Sequence, residues 1–248
     1  MKWGDKYGSD YVNRLYQMVK RNITPPFKFV CYTDNKVGID SNIEVYDMPR
    51  FDAAHLQTKG AYQKKTLCRS GLEPFKDGER FLFLDLDIVI MKNIDCFFEY
   101  LPNEDFIICY NWTRGNGKIG NSSVTMFRSG SLDYIISDLE KDFINYQNKF
   151  GTASQEYLSS KVIEKFGKLN FWPEEWCKSF QYHCLPNRLL RLFFTSRKPP
   201  EQTRILLFHG RVNPPDAIQG IWPGDFAWWK KWYKSLRPVP WLKEFWEN

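Results

Sequence analysis

The stretch Phe81-Leu82-Phe83-Leu84-Asp85-Leu86-Asp87-Ile88-Val89-Ile90 is apolar except for two aspartates, and it decides the fold. Its apolar flanks predict a strand buried in the core of a sheet. A buried carboxylate without a partner is costly, so two of them in a core strand require one. Side chains two residues apart on a strand point to the same face, so Asp85 and Asp87 can reach one divalent cation. That cation could bind a diphosphate.

The aspartate pair has two other interpretations. Lys or Arg could form ion pairs with it, although residues 81–91 contain neither. A similar Asp-x-Asp occurs in haloacid-dehalogenase-type phosphatases, in which the first Asp is a nucleophile. Such a nucleophile usually lies near the start of its domain, whereas Asp85 lies about a third of the way along the chain. We therefore favour the metal site.

Composition bounds the class of protein. The 248 residues are 43% hydrophobic and 17% aromatic, which suits one domain with a substantial core. The longest apolar runs are strand-sized, so we expect no transmembrane helix. The segment Met1-Lys2-Trp3-Gly4-Asp5-Lys6 lacks the apolar stretch of a secretory signal. These features favour the cytoplasm.

The net charge and the cysteine spacing indicate which binding partners and metals to expect. The net charge of +6 indicates an acidic partner, which could be nucleotide phosphate, anionic lipid or nucleic acid. Nucleic acid ranks last, because the chain has no dense Lys/Arg block and no recognisable nucleic-acid module. The six cysteines show no Cys-x-x-Cys spacing, so we expect reduced structural thiols rather than zinc ligands.

Strand-like and helix-like runs alternate, which predicts an α/β domain with a mixed, mostly parallel central sheet flanked by helices. A first helix begins with Asp10 as its cap and ends before Pro25. Further helices are predicted at residues 61–70, 132–143 and 154–166. Strands are predicted at residues 27–32, 43–46, 81–90, 106–110, 123–127 and 205–208.

The C-terminal residues differ in composition from the rest. We divide the chain into a domain at residues 1–220 and an aromatic, basic extension at residues 221–248. Asp225 could cap a helix with an apolar face made of Trp229, Trp232, Tyr233 and Leu236. Such a helix could lie at a membrane surface, although packing on the domain is the favoured interpretation.

Together these landmarks resemble the GT-A glycosyltransferases, most closely family 8 and related bacterial proteins of surface polysaccharide synthesis. The matching segments are scattered between Lys6 and about Pro214. In this family an Asp-x-Asp holds Mn²⁺ or Mg²⁺ on the diphosphate of a nucleotide sugar. Asp85 and Asp87 match it, and the following Asn93-Ile94-Asp95 is similar to the family's continuation. The resemblance implies a Rossmann-like GT-A fold.

A second match is Phe208-His209-Gly210-Arg211-Val212-Asn213-Pro214, which resembles the family's late His-x-x-Gly-x-x-Lys-Pro motif with two residues fewer between His and Gly. The resemblance implies that His209 is the third metal ligand and that Gly210 lies at the donor. Asn213 stands where the family has a Lys that binds phosphate, so Arg211 is the candidate substitute.

Weaker matches complete the predicted site. Lys65 falls where the family has a Lys near the donor phosphate, and its other interpretation is a solvated helix charge. Asn121 matches an Asn beside the donor sugar. Gln155 matches the Gln of a Gly-Asp-Gln motif, but Ser154 replaces its Asp. Thr33 and Asp34, at a strand end, are the candidates for base and ribose. The family generally begins with a full buried strand, whereas here the first strand is short or truncated.

The resemblance implies transfer of a hexose from a nucleoside diphosphate sugar, with UDP-sugars favoured, to a hydroxyl of a glycan or glycolipid. Configuration would be retained, so no strong base is needed, and Gln155 and Asp87 are the predicted catalytic residues. An inverting enzyme would instead need a carboxylate base, for which the candidates are Glu156, Glu175 and Asp216. The alternatives are an inactive GT-A homologue that binds nucleotide sugars, an Asp-nucleophile phosphatase and a nucleotidyltransferase. The predicted location is the cytoplasm, with peripheral membrane contact through the extension as a further possibility.

Overall fold

The computed structural model describes residues 1–52, 60–113, 117–151, 154–191, 193–227, 229 and 234–247. Its helices are α1 Ser9–Asn22, α2 Cys96–Glu99, α3 Asp133–Lys141, α4 Phe143–Phe150, α5 Ser154–Phe166, α6 Pro214–Gln219 and α7 Lys243–Trp246. Its strands are β1 Val30–Thr33, β2 Glu44–Asp47, β3 Arg80–Leu84, β4 Ile88–Ile90, β5 Phe106–Tyr110, β6 Gly120–Arg128, β7 Cys177–Ser179 and β8 Ile205–Leu207. Shorter turns include the 3₁₀ helices Ala61–Cys68, Arg188–Leu190 and Pro240–Leu242 and the π-helical turn Phe180–Cys184.

The strands form three small sheets with the orders β1-β2, β3-β6-β5 and β4-β8-β7. The predicted α/β class with a mixed sheet is confirmed. The expected parallel majority is not found among these strands: β1–β2 and β7–β8 are parallel, whereas β3–β6, β5–β6 and β4–β8 are antiparallel. The nine-residue strand β6 explains part of the difference, because it runs antiparallel to both of its neighbours.

Most predicted elements occur within a few residues of their expected positions. The bounds of β5 and α5 are as predicted, and the predicted helix at residues 61–70 is a 3₁₀ helix. The apolar face of α1 is buried, and the chain turns extended at Ile23, before Pro25. Gly8, not Asp10, is the N-cap of α1. All six cysteines are free thiols, five of them buried.

The sequence predicted one continuous strand at residues 81–90, but the acid pair lies between two strands. β3 ends at Leu84 and β4 begins at Ile88, and the two strands belong to different sheets. Residues 85–87 are therefore the crossing between the sheets. Leu86 is buried in the core, while Asp85 and Asp87 both face an open cleft. The side chains of residues 85–87 therefore still alternate between cleft and core, as in a strand, although these residues belong to neither strand.

The C-terminal extension packs on the rest of the chain where the structure describes it. Leu236, Val239, Leu242 and Trp246 are buried in the same core cluster as α1 and β4. The Trp246 ring lies 5.4 Å from that of Tyr11 in an edge-on contact. The helix predicted after Asp225 falls largely on residues 228 and 230–233, which lie outside the described residues. No helix in the described ranges is both long and apolar enough to cross a bilayer.

Strand β8 is fully buried in the core. A substitution that removes packing from this strand therefore tests the fold. Leu206 is fully buried and pairs with Val89 of β4. We expect Leu206→Ala to lower the free energy of unfolding by roughly 2–5 kcal/mol, measured by urea denaturation. Leu190→Ala, at a position that is 46% exposed, is the matched control and should change it by less than about 0.5 kcal/mol. Equal effects of the two substitutions would contradict the assigned core.

Candidate active site

A polar cleft of about 340 Å³ opens at the crossing between β3 and β4. Several segments distant in sequence line it: Lys6, Lys64, Asp85, Asp87, Asn111, Trp112, Thr113, Asn121, Ser122, Ser123, Ser154, Gln155, Phe208, His209 and Gly210. Six of the predicted site residues are therefore brought together, namely Asp85, Asp87, Asn121, Gln155, His209 and Gly210.

The backbone of β6 holds the first carboxylate in place. The amide of Asp85 donates to the carbonyl of Ser123 at 2.8 Å. Asn121 lies on the same strand, where its side-chain oxygen accepts from the amide of Ser123 at 2.9 Å. The amide group of Asn121 is thus fixed near Asp85, at the edge of the cleft. The antiparallel register of β3 and β6 therefore places Asp85 and Asn121 near each other.

Asp85 pairs with a lysine that the sequence analysis did not select. The ammonium of Lys64 forms a hydrogen-bonded ion pair with the carboxylate of Asp85, and both side chains are largely shielded from solvent. The alternative interpretation of the acid pair, an ion pair with Lys or Arg, therefore holds for Asp85. Lys64 comes from the 3₁₀ helix at residues 61–68, so the absence of basic residues near Asp85 in sequence did not exclude it.

Asp87 pairs with Tyr7, which the sequence analysis also missed. The hydroxyl of Tyr7 donates to Asp87 Oδ2 at 2.6 Å. Burial and the charge of Asp85 raise the pKa of Asp87 to about 6, while the hydrogen bond from Tyr7 opposes that rise. Burial and Asp87 raise the pKa of Tyr7 well above its ordinary value, so its hydroxyl remains a donor. The signal that could have found Tyr7 is its place just after the short first strand, where ligands bind in α/β sheets.

His209 lies on the aromatic side of the cleft. Its ring stacks at 6.5 Å on Trp112 and at 5.6 Å on Tyr182, and the hydroxyl of Ser179 lies 3.4 Å from both ring nitrogens. Burial, with a smaller contribution from His183, lowers the pKa of His209. The imidazole is therefore neutral at pH 7, which is the form that binds metals.

Several predicted site residues do not line this cleft. Lys65 is buried, with 1% of its surface exposed, and burial lowers its pKa to about 8. Its neighbour Lys64 occupies the position in the cleft that was predicted for Lys65. Arg211 is exposed, and its guanidinium lies 5.3 Å from the ring centroid of Phe226.

The pair predicted for base and ribose contacts the N-terminal residues. The hydroxyl of Thr33 bonds with the backbone of Asn35, at 3.0 and 3.1 Å. Asp34 accepts from the amide of Gly4 at 2.8 Å, and its carboxylate lies 3.8 Å from the ammonium of Lys2. These contacts place the pair beside the start of the chain, outside the residues that line the cleft.

Asn213 has a structural role that explains the departure from the resembling motif. It caps α6 in a reciprocal capping box, in which Asp216 Oδ2 accepts from the amide of Asn213 at 2.9 Å. A lysine cannot accept the hydrogen bond that a cap requires. Asp216, a candidate general base from the sequence, is engaged in the same box.

The donors fit a hard divalent cation in kind, although not yet in arrangement. Carboxylates and a neutral imidazole are suitable ligands for Mn²⁺, and carboxylates for Mg²⁺. Among the residues that the structure describes, no three His, Cys, Asp or Glu side chains are placed to hold one ion together. A cation at Asp85 would also have to displace the ammonium of Lys64.

The raised pKa of Asp87 predicts a dependence of stability on pH. A carboxyl whose pKa is higher in the folded protein favours folding below its unfolded pKa of ~3.9 and loses that contribution as pH rises. For Asp87 the loss ends above a folded pKa of about 6. Asp87→Asn removes this titration. We therefore compare the change in the free energy of unfolding from pH 4 to pH 7, measured in EDTA. The wild type should lose on the order of 1–3 kcal/mol more than the variant over this range.

Asp47→Asn is the control for this measurement. Asp47 is fully exposed, and Lys36 lowers its pKa, so its contribution has the opposite sign and is screened by solvent. Parallel stability curves for Asp87→Asn and the wild type would contradict the assigned environment of Asp87.

Comparison with solved structures identifies the fold. A crystal structure of galactosyltransferase LgtC in complex with donor and acceptor sugar analogs matches with a TM-score of 0.59 and 12% identity, covering 86% of this chain and 87% of that chain. The structure of an active-site mutant of LgtC matches with a TM-score of 0.52, 13% identity and the same coverage. Comparison with protein-family models and with curated proteins finds no match. The structural likeness extends over most of both chains, so the chain has the GT-A fold that its sequence motifs predicted.

Proposed function

We propose that the protein is a glycosyltransferase that moves a hexose from a nucleoside diphosphate sugar to an acceptor hydroxyl. The observation that carries the proposal is the convergence of Asp85, Asp87, Asn121, Gln155 and His209 on one polar cleft within this fold. The matched LgtC structure contains donor and acceptor sugar analogs, which supports a sugar donor and a sugar acceptor here. UDP is the favoured nucleotide.

The lining of the cleft suits a sugar. Hydroxyl and amide side chains line it at Asn111, Asn121, Ser122, Ser123 and Gln155. Such groups both donate and accept hydrogen bonds, as sugar hydroxyls do. The indole of Trp112 adds an apolar face next to His209, and its buried Nε1 atom has no hydrogen-bond partner among the described residues.

The acidic end of the cleft suits a diphosphate with its cation. After a rearrangement of their side chains, Asp85, Asp87 and His209 would hold Mn²⁺ or Mg²⁺, and Lys64 would transfer its hydrogen bond from Asp85 to a phosphate oxygen. When bound, such a cation supplies Lewis-acid stabilisation of the departing diphosphate. Tyr7 fixes the orientation of Asp87 through its 2.6 Å hydrogen bond. Lys6 and Lys64 place positive charge at the same end.

The transfer breaks the bond between the anomeric carbon and the diphosphate oxygen and forms a bond from that carbon to the acceptor oxygen. The proton of the acceptor hydroxyl leaves on the released diphosphate, so no protein base is required if configuration is retained. Negative charge develops on the diphosphate as the bond breaks, and Lys6 and Lys64 stabilise it. The side-chain carbonyl of Gln155 would support the positive charge that develops at the sugar ring.

A glycan or glycolipid hydroxyl fits the proposed chemistry. We propose a cytoplasmic location, with peripheral contact to the inner face of a membrane through the aromatic and basic residues of the C-terminal extension. The side chain of Trp229 is exposed, which supports such contact.

Calorimetry tests the proposal directly. We expect UDP to bind at least about tenfold more tightly with Mn²⁺ than with EDTA, because the acid pair would hold a cation that attracts the diphosphate. Asp87→Ala should abolish this metal-dependent gain. Glu201→Ala, which removes an exposed carboxylate outside the residues that line the cleft, is the matched control and should retain it. GDP, titrated in parallel, compares the two bases. Binding of neither nucleotide by the folded wild type would overturn the proposal.

Lys64 allows a second test with opposite expected signs. In the wild type its ammonium competes with a cation for Asp85. Lys64→Gln should therefore strengthen binding of Mn²⁺ alone several-fold, because one competitor is removed. The same change should weaken binding of UDP in the presence of Mn²⁺, because a positive charge near the diphosphate is lost. Lys168→Gln, which disrupts an exposed pair with Glu104, should change neither value. A loss of Mn²⁺ affinity in Lys64→Gln would contradict this role.

An inactive nucleotide-sugar-binding protein is the second candidate. The observation that favours it is Ser154, a buried residue at the start of α5 and in the cleft, where the resembling motif has an Asp that contacts the sugar. The two candidates differ in turnover rather than in binding. Metal-dependent UDP binding without UDP release from any UDP-hexose tested, in the presence of sugar acceptors, would favour the inactive protein.

A further inference from the structure

A surface loop at residues 185–200 carries exposed apolar side chains that the proposed function does not use. Leu190, Phe193 and Phe194 are 46%, 65% and 59% exposed. The amides of Phe193 and Phe194 both donate to the carbonyl of Leu190, at 3.0 and 2.9 Å. Residues three and four apart in such a turn lie on one side, so these three side chains form a single exposed cluster, the apolar tip.

Basic residues flank the apolar tip. Residues 185–200 contain Arg188, Arg191, Arg197 and Lys198 but neither Asp nor Glu. Arg191 is buried, whereas Arg188, Arg197 and Lys198 are exposed and form the basic rim. The loop therefore presents apolar side chains to solvent together with positive charges that no acid within the loop offsets.

Contacts at the base of the loop hold it in place. The amide of Arg197 donates to the carbonyl of Cys184 at 3.0 Å, and its Nε atom donates to the carbonyl of His183 at 2.9 Å. The guanidinium of Arg191 lies 5.2 Å from the ring centroid of Trp222, in the C-terminal extension. A tip on a loop that is anchored in this way loses little conformational entropy when it meets a partner.

The base of the loop also borders the polar cleft. Tyr182 and His183 belong to the π-helical turn Phe180–Cys184, which directly precedes the loop. The ring of Tyr182 stacks on His209 at 5.6 Å, and that of His183 meets Trp112 edge-on at 5.5 Å. One short segment thus carries side chains that pack at the cleft and, a few residues later, the apolar tip.

We propose that the apolar tip and the basic rim form a docking surface for a bilayer that contains anionic lipids. Apolar side chains enter the boundary between headgroups and acyl chains, and Lys and Arg attract anionic headgroups. An apolar cluster flanked by Lys and Arg fits a bilayer better than a protein interface, in which Lys is depleted. The docking surface lies outside the C-terminal extension and does not depend on the proposed function. For a glycolipid acceptor, docking here would bring the headgroups towards the cleft.

Vesicle sedimentation tests the apolar tip. We expect the wild type to bind mixed phosphatidylcholine and phosphatidylglycerol vesicles at least about tenfold more tightly than phosphatidylcholine vesicles. Phe193→Ser/Phe194→Ser should weaken binding to the mixed vesicles at least about tenfold, because less apolar surface enters the bilayer. Val37→Ser/Ile144→Ser, at positions that are 80% and 71% exposed, is the matched control and should bind like the wild type.

A charge variant tests the basic rim. Arg188→Gln/Lys198→Gln should weaken binding to the mixed vesicles by about fivefold for each charge removed and leave binding to phosphatidylcholine unchanged. Lys92→Gln/Lys149→Gln removes two exposed charges elsewhere and lowers the net charge equally, so a much smaller loss is expected. An unchanged Tm shows that each variant is folded, because all the substituted side chains are exposed.

Four results would overturn the proposal. Equal binding of the wild type and Phe193→Ser/Phe194→Ser to the mixed vesicles would show that the tip does not enter the bilayer. Equal losses in the two charge variants would reduce the rim to a net-charge effect. A loss in Trp229→Ser without a loss in the loop variants would assign the contact to the C-terminal extension. A dimer that binds no vesicles, and that Phe193→Ser/Phe194→Ser converts to a monomer, would assign the tip to a second copy of the chain.

Discussion

Two carboxylates, Asp85 and Asp87, lie at the crossing from β3 to β4, and the cleft is built around the partners that their charges require. They lie side by side at a partly buried position, so desolvation and, to a smaller extent, the charge of Asp85 raise the pKa of Asp87. Lys64 and Tyr7 balance the pair without neutralising it, since the ion pair satisfies Asp85 and a neutral hydroxyl serves Asp87. Two carboxylates beside an open cleft are suited to a divalent cation, which would take the place of the lysine charge at Asp85.

Local patterns predicted most of the elements but few of the contacts. The predictions at residues 154–166 and 106–110 match the bounds of α5 and β5, and a glycine with positive φ, Gly167, follows α5 directly. The contact between Tyr7 and Asp87 joins residues 80 positions apart, and no local pattern encodes it. The antiparallel pairing of β6 escaped prediction for the same reason, since pairing direction depends on how the chain crosses the sheet.

The residues that depart from the resembling motif have local explanations. Asn213 caps α6, where a lysine could not accept the hydrogen bond, and Arg211 packs on Phe226. The resemblance selected Lys65, whereas the structure places Lys64 in the cleft lining and buries Lys65. The short first strand expected from the sequence is a single parallel bridge between Lys2 and Thr33.

The central claim is that the acid pair exists to hold a cation against a diphosphate. A crystal structure of the protein soaked with Mn²⁺ and UDP tests it most directly, through the anomalous signal of manganese. The account predicts a peak within ~2.0–2.6 Å of carboxylate oxygens of Asp85 and Asp87 and of a ring nitrogen of His209, with Lys64 moved to a phosphate oxygen. A nucleotide-bound structure with no peak, and with Lys64 still paired to Asp85, would contradict it.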